Sequence, residues 1–199
     1  ESVGTAPRLF QQEYKRIKHI VCSHNLPQNV CGKLSDELVL YAERVGAEPL
    51  LVAALIKELS GFRSSGGSSS SAGIGLFDIK PKDGSKIARA SRVTWAGEQE
   101  LEKQKYSLRL GIAYLHSLNK MFYGNKERAL TAFLWSPDKL IEAIRLKHQI
   151  PSRIKARVDA IMKSYNDWQT HYRLVANHSE KSDYPRSNSE RFAKIRKFV

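Results

Sequence analysis

The segment Pro49-Leu-Leu-Val-Ala-Ala-Leu-Ile-Lys-Glu-Leu-Ser-Gly61 limits the fold more than any other part of the chain. Pro49 is preset for a first helical turn, and Gly61 suits the left-handed residue that closes a helix, so the segment reads as one helix. Its run Leu50–Ile56 is the longest apolar run of the chain, and at seven residues it falls far short of a membrane span, which needs roughly 20 residues. Leu51, Ala54 and Leu55 define its buried face. Glu58 follows them by seven, four and three positions, which places it on the same face. A carboxylate on an apolar face is costly to ionise without a partner. That is the setting of an acid able to protonate a leaving oxygen. The plainer alternative is that Glu58 rolls out beside Lys57 into solvent, as most helical glutamates do.

The other periodic patterns are also helical. A short basic helix is expected over 9–20, and Ser35 followed by Asp36-Glu37 reads as an N-cap opening a helix through about Val45. Further helices are expected at about 99–122, 126–134 and 137–148, the last with Ser136 as N-cap and Pro137 at its first position. A long helix starts near Pro151 and carries Val158, Ile161, Met162 and Tyr165 on one face. Between them, 64–71 is a Ser/Gly stretch expected as a loop. Ile74–Ile79 alternates like a short strand, and Pro81-Lys-Asp-Gly84 reads as a turn. The reading is a mainly α single domain with a small irregular or β-like segment near 72–80. Residues 1–34 form an N-terminal extension, 35–175 the main domain and 176–199 a basic tail that docks through Phe192, Ile195 and Phe198.

Of 199 residues, 33 are Lys or Arg and 20 Asp or Glu, a formal net charge of +13. The 41% of hydrophobic residues excludes a disordered or collagen-like chain. The charge implies an anionic partner, which nucleic acid, anionic membrane surfaces and bacterial cell-wall polymers all satisfy. The six His are scattered and no Cys/His spacing resembles a metal site, so no metal or cofactor is expected. Cys22 and Cys31, nine positions apart, would close a short loop in an exported protein; the alternative is two buried thiols. The chain begins at Glu1 without a Met or a basic-then-apolar leader, which reads as a mature or trimmed chain.

Four blocks in order resemble the lytic transglycosylase and goose-type lysozyme superfamily. The first is Leu51-Val-Ala-Ala-Leu-Ile-Lys-Glu58, similar to the family helix that ends in the catalytic acid. The second is Ser71-Ala-Gly-Ile-Gly75-Leu-Phe77-Asp78-Ile-Lys-Pro81, similar to the segment that reads Gly-Leu-Met-Gln in the family. The third is Leu108-Arg-Leu-Gly111-Ile-Ala-Tyr114-Leu115, and the fourth is Ala129-Leu-Thr-Ala132-Phe133-Leu-Trp135-Ser-Pro137. The resemblance implies a lysozyme-like fold that cleaves the β-1,4 bond between N-acetylmuramic acid and N-acetylglucosamine in peptidoglycan, with Glu58 as general acid and then base. It implies an exported protein, periplasmic or extracellular in a bacterial or phage-like setting. That protein would act as a monomer on glycan strands, without nucleic acid.

The chain departs from the family pattern at several points. Leu59 separates Glu58 from Ser60, Asp78 replaces the family Gln, and Phe133 replaces the Tyr that would contact the catalytic carboxylate. Leu134 and Ser107 each replace an Asn. At Asp78 an amide suited to neutral sugars becomes a carboxylate that prefers a cation. The expectation is a glycan with free amines, as in de-N-acetylated peptidoglycan. The rival roles are a second catalytic carboxylate or a salt bridge to Lys80, Lys82 or Arg89. Ser60, Ser70, Ser71 and Gly75 are expected to border the groove, with Phe77, Tyr114, Phe133 and Trp135 as its aromatic contacts. Trp95 and Trp168 are weaker candidates, since aromatics at helical spacing are more often core. Two other classes stay open: an inactive peptidoglycan-binding protein on the same fold, and a nucleic-acid binder using the basic segment Arg145, Lys147, Arg153, Lys155 and Arg157, for which no recognised motif is present.

Overall fold

Helix α3, Pro49–Ser60, is the centre of the fold. Every residue from Leu50 to Ile56 is buried, the most exposed at 7%. A helix apolar on all sides must be wrapped by others. Pro49 starts α3 and Gly61, at φ +58°, ends it with its N–H on the Lys57 carbonyl. In this computed structural model, which describes residues 6–63 and 73–182, α1 (Ala6–Cys22) and α2 (Gln28–Val45) pack on each other and on α3. After the described gap come α4 (Pro81–Ala90), a short 3₁₀ turn (Glu98–Glu102), α5 (Gln104–Met121), α6 (Lys126–Leu134), α7 (Pro137–Leu146) and α8 (Ser152–Ser182). Helix α5 packs against α2, α4, the 3₁₀ turn and α6, while α7 rests on α6. One compact unit runs to Tyr165 and a second begins at Asn166. In the second, the rings of His171 and Tyr172 meet edge to face with centroids 5.3 Å apart.

Cys22 and Cys31 form a disulfide that joins the end of α1 to the first turn of α2. Helix α2 begins at Gln28 behind Pro27, not at Ser35, so the expected cap is corrected. Ser35 lies buried within the helix and donates its hydroxyl to the Cys31 carbonyl at 2.7 Å. A serine can satisfy itself on the carbonyl four residues back and need not cap. The boundary expected at residue 35 therefore falls inside α2, and Ile17, Ile20 and Val21 of α1 are core residues.

Three further expectations change. Pro81–Gly84 opens α4 instead of making a turn. Gly84 suits that helix because a Cβ there would lie 2.2 Å from the Trp95 indole, which packs directly on its backbone. The 99–122 helix is divided by Lys103 into the 3₁₀ turn and α5. Ser136 makes no side-chain cap on α7, whereas Asn125 caps α6 by accepting from Arg128 N–H at 2.9 Å. The Ser/Gly stretch and the three tail anchors Phe192, Ile195 and Phe198 lie outside the described residues, although α8 itself continues to Ser182.

The strand-like run Ile74–Ile79 is a tight loop closed by one antiparallel bridge, Ile74 N–H to Ile79 O at 2.9 Å and the reverse at 3.1 Å. Two serines clamp its middle. Ser107 on α5, fully buried, accepts the Leu76 N–H at 3.0 Å, and Ser60 on α3 donates to the Leu76 carbonyl at 2.9 Å. Gly75 at φ +73° makes this approach possible, since a Cβ there would lie 2.2 Å from the Leu101 carbonyl oxygen.

Opening the Cys22–Cys31 loop by Cys31→Ser is expected to lower stability by about 2–3 kcal/mol on the chain-entropy model, read as a shifted urea midpoint against the oxidised protein. Ser107→Ala leaves the buried Leu76 N–H without its acceptor and is expected to cost about 1–3 kcal/mol. Ser107→Thr, which keeps the hydroxyl, separates loss of the acceptor from loss of packing in the same measurement.

Candidate active site

A cleft of about 520 Å³ opens beside the end of α3, within the roughly 300–1,000 Å³ range of small-ligand sites. Leu59 from α3, Gly73, Phe77 and Asp78 from the clamped loop, and Asp83 and Ile87 from α4 make part of its wall. Phe133, Leu134 and Trp135 at the end of α6 and Arg153, Ile154 and Arg157 from α8 complete it, with Lys80.

Glu58, on the last turn of α3 with its side chain 31% exposed, is not itself a lining residue of the cleft but precedes the lining residue Leu59. It neither disappears into the core nor rolls fully into solvent. Its carboxylate oxygen Oε1 accepts from Nε of Arg157 at 3.3 Å. Arg157 is thus both a lining group of the cleft and the partner of Glu58. The apolar-face argument lacked that partner: 99 positions separate the two residues, and Arg157 read as one cation in a basic run. Beside it, Lys57 donates to the hydroxyl of Ser164 at 3.0 Å, so α8 takes up both charged residues that end α3. The start of α3 is held too. Glu48 accepts from the Tyr165 hydroxyl and pairs with Lys126 Nζ at 3.0 Å, and Lys126 lies over the Tyr165 ring.

The clamped loop places Asp78 in the cleft wall. Asp78 is exposed at φ +49°, a left-handed conformation that Asp tolerates better than most residues. Gly73 lets the loop ends close, because a Cβ there would sit 2.3 Å from Asp78 Oδ1. Among the described residues Asp78 forms no ion pair with Lys80, Lys82 or Arg89. Asp78 lines the cleft, where Asp83 is a second acid.

The aromatic candidates separate by depth. Phe77 is 1% exposed and lies under the cleft. A Cβ on Gly111 of α5 would come within 2.2 Å of its ring, so the missing side chain is the seat for the phenyl group. Phe133 meets Phe77 at 5.9 Å between centroids and Tyr114 at 5.3 Å. Tyr114 is a buried member of the neighbouring core cluster. Burial, assisted by the negative charges of Asp138 and Asp83, pushes its hydroxyl up to about 12, so it stays a neutral phenol. Trp135 is partly buried and lines the cleft. Trp95 packs on Gly84 and Tyr106, away from the lining. Trp168 belongs to the second unit.

Of the expected groove residues, Phe77, Asp78, Phe133 and Trp135 line the cleft, Glu58 is linked to it through its partner Arg157, Tyr114 lies in the neighbouring core, and Ser60 and Gly75 shape the loop. Ser70 and Ser71 lie outside the described residues. Sequence reasoning missed Asp83, Arg153 and Arg157 as cleft residues; the four-residue spacing of the two arginines was the signal for a shared helix face. Among the described residues no group of three His, Cys, Asp or Glu could hold a metal ion.

The fold is similar to solved lytic transglycosylases. One is an inactive mutant of the lytic transglycosylase Slt from Pseudomonas aeruginosa, 22% identical with a TM-score of 0.50, over 67% of this chain and 22% of that one. Another is the 70 kDa soluble lytic transglycosylase from Escherichia coli, 15% identical with a TM-score of 0.60, over 82% of this chain and 30% of that one. The chain spans less than a third of the length of either. No curated protein matches. Residues 40–155, more than half of the chain and spanning the cleft from Leu59 to Arg153, match the family described as Transglycosylase SLT domain. The chain belongs to the transglycosylase SLT-domain family.

Proposed function

We propose that this chain cleaves peptidoglycan glycan strands at the β-1,4 bond between N-acetylmuramic acid and N-acetylglucosamine. The observation that carries this is the position of Glu58: at the exit of a buried helix, partly exposed, tied to an arginine that lines the cleft. Glu58 donates its proton to the glycosidic oxygen as the C1–O bond breaks. The carboxylate left behind is negative, and Arg157 is in place to stabilise it. In the transglycosylase route the sugar's own 6-hydroxyl then attacks C1 and returns a proton to Glu58, leaving a 1,6-anhydro end. That route needs only one carboxylate, whereas a two-carboxylate hydrolase needs a second across the scissile bond. Protein acting on such a substrate is exported, and the disulfide is consistent with an oxidising compartment.

Asp78 supports a finer reading. An acid in the cleft wall without an ion pair among the described residues favours a cationic sugar. De-N-acetylated peptidoglycan, with its free glucosaminium groups, supplies one. Phe133 and Leu134 give that side of the cleft an apolar floor for the sugar ring.

Glu58→Gln is expected to lower the rate of turbidity loss of purified walls by about 10²–10⁴-fold, the range for removing a general acid. Equal loss with both proteins, or binding to walls without loss by either, sinks the enzyme reading. Mass spectra of released fragments assign the nucleophile: an anhydro end means transglycosylation and a reducing end means hydrolysis. Asp78→Asn is expected to shift preference from de-N-acetylated toward acetylated walls; a wild-type protein that prefers acetylated walls ends the amine idea.

A further inference from the structure

The proposed reading uses α8 only to pair Arg157 with Glu58 and gives this wall of the cleft no contact with the strand itself. Arg153 and Arg157 lie four residues apart on α8, hence on one face, and both line the cleft. Arg157 engages Glu58 through Nε alone, which leaves its outer guanidinium nitrogens for a ligand. Arg153 is exposed and has no ion pair among the described residues. Two guanidinium forks on one face match the planar geometry of a carboxylate. The same cleft is also lined by Asp78 and Asp83, with Lys80 between them in sequence. Its lining thus carries acids on the loop and α4, with Lys80 beside them, and guanidinium groups on α8.

We propose that Arg153 and Arg157 form an anion subsite for a carboxylate on the muramyl side arm of the strand. This rests on the reading of the chain as a peptidoglycan-cleaving enzyme and names a substrate feature that reading does not. Two groups on the arm have this chemistry: the lactyl carboxyl when the stem peptide has been removed, and the carboxylates of the stem itself when it is present. A strand that offers both an amine and a carboxylate would match both sets of lining groups.

The test uses the full chain carrying Glu58→Gln, so that bound walls are not cleaved, and measures its affinity for untreated walls and for walls whose carboxylates are converted to carboxamides with carbodiimide and ammonia. Adding Arg153→Gln is expected to weaken binding to untreated walls about tenfold or more, the loss expected of a charge-assisted contact. On amidated walls the proteins with and without Arg153→Gln should bind alike. Arg145→Gln, an equal charge loss at an exposed position on α7, is the control for bulk attraction between a basic protein and an acidic wall. Equal weakening by Arg145→Gln and Arg153→Gln, or an Arg153 effect that persists on amidated walls, overturns the subsite. Arg153→Lys should recover part of the affinity, since charge is kept but the fork is lost. Walls stripped of stems by an amidase, which frees the lactyl carboxyl, separate the sources: an Arg153 effect lost on stripping belongs to the stem carboxylates, and one that persists shows that the freed lactyl carboxylate also occupies the subsite. Wall cleavage by the wild-type chain is measured in parallel. Cleavage without an Arg153 effect overturns the subsite alone, whereas neither cleavage nor wall binding overturns the reading beneath it.

Discussion

The burial of α3 is the constraint on which the remaining structure depends. Seven consecutive apolar residues leave the helix no side that water can accept, so α1 and α2 close over it. Burying this much apolar surface contributes roughly 25 cal/mol per Å², and it fixes where the helix must stop. Polarity returns at Lys57 and Glu58, the first residues free to leave the core, and Gly61 ends the helix just beyond. The Glu58 carboxylate is thus placed by the end of a hydrophobic run. Its partner Arg157 then joins α3 to α8, the one helix among the described residues that contributes guanidinium groups to the cleft.

Helical content and the position of Glu58 were legible because both rest on local periodicity and on Pro/Gly punctuation. Pro49 and Gly61 bound α3 as their backbone preferences require. Ser35 and Pro81 misled for a common reason. Each residue type has two good local uses, and packing chooses between them: Ser35 bonds back to Cys31, and Pro81 starts a helix that Trp95 covers at Gly84. The run 74–79 resembled a strand in sequence, but the loop buries Leu76, Phe77 and Ile79 alike and turns only Asp78 outward, closed by a single antiparallel bridge.

The cleft itself was only half legible. Phe77, Asp78 and Phe133 lie within motif-bearing segments, but their depth does not follow from the motif. Phe77 and Phe133 share a layer that no spacing rule links, since 56 positions separate them and Gly111 decides how deep the first can go. Arg153 and Arg157 were hidden in another way. A run of basic residues on a long helix is ordinarily a solvated face, and only the three-dimensional meeting of α8 with the end of α3 turns two of them toward the cleft.

Gly111 has a role that extends beyond packing. The phenyl ring of Phe77 occupies the dent this glycine leaves in α5, and Asp78 is the next residue along the chain. The acid's place in the cleft is therefore gauged by a missing methyl group on the far side of the loop, in a helix that lines no part of the opening. Filling that dent would lift the ring and carry the neighbouring carboxylate with it. Under the proposed reading, selectivity drifts during evolution through changes at a residue that the substrate does not touch, with every lining side chain left intact.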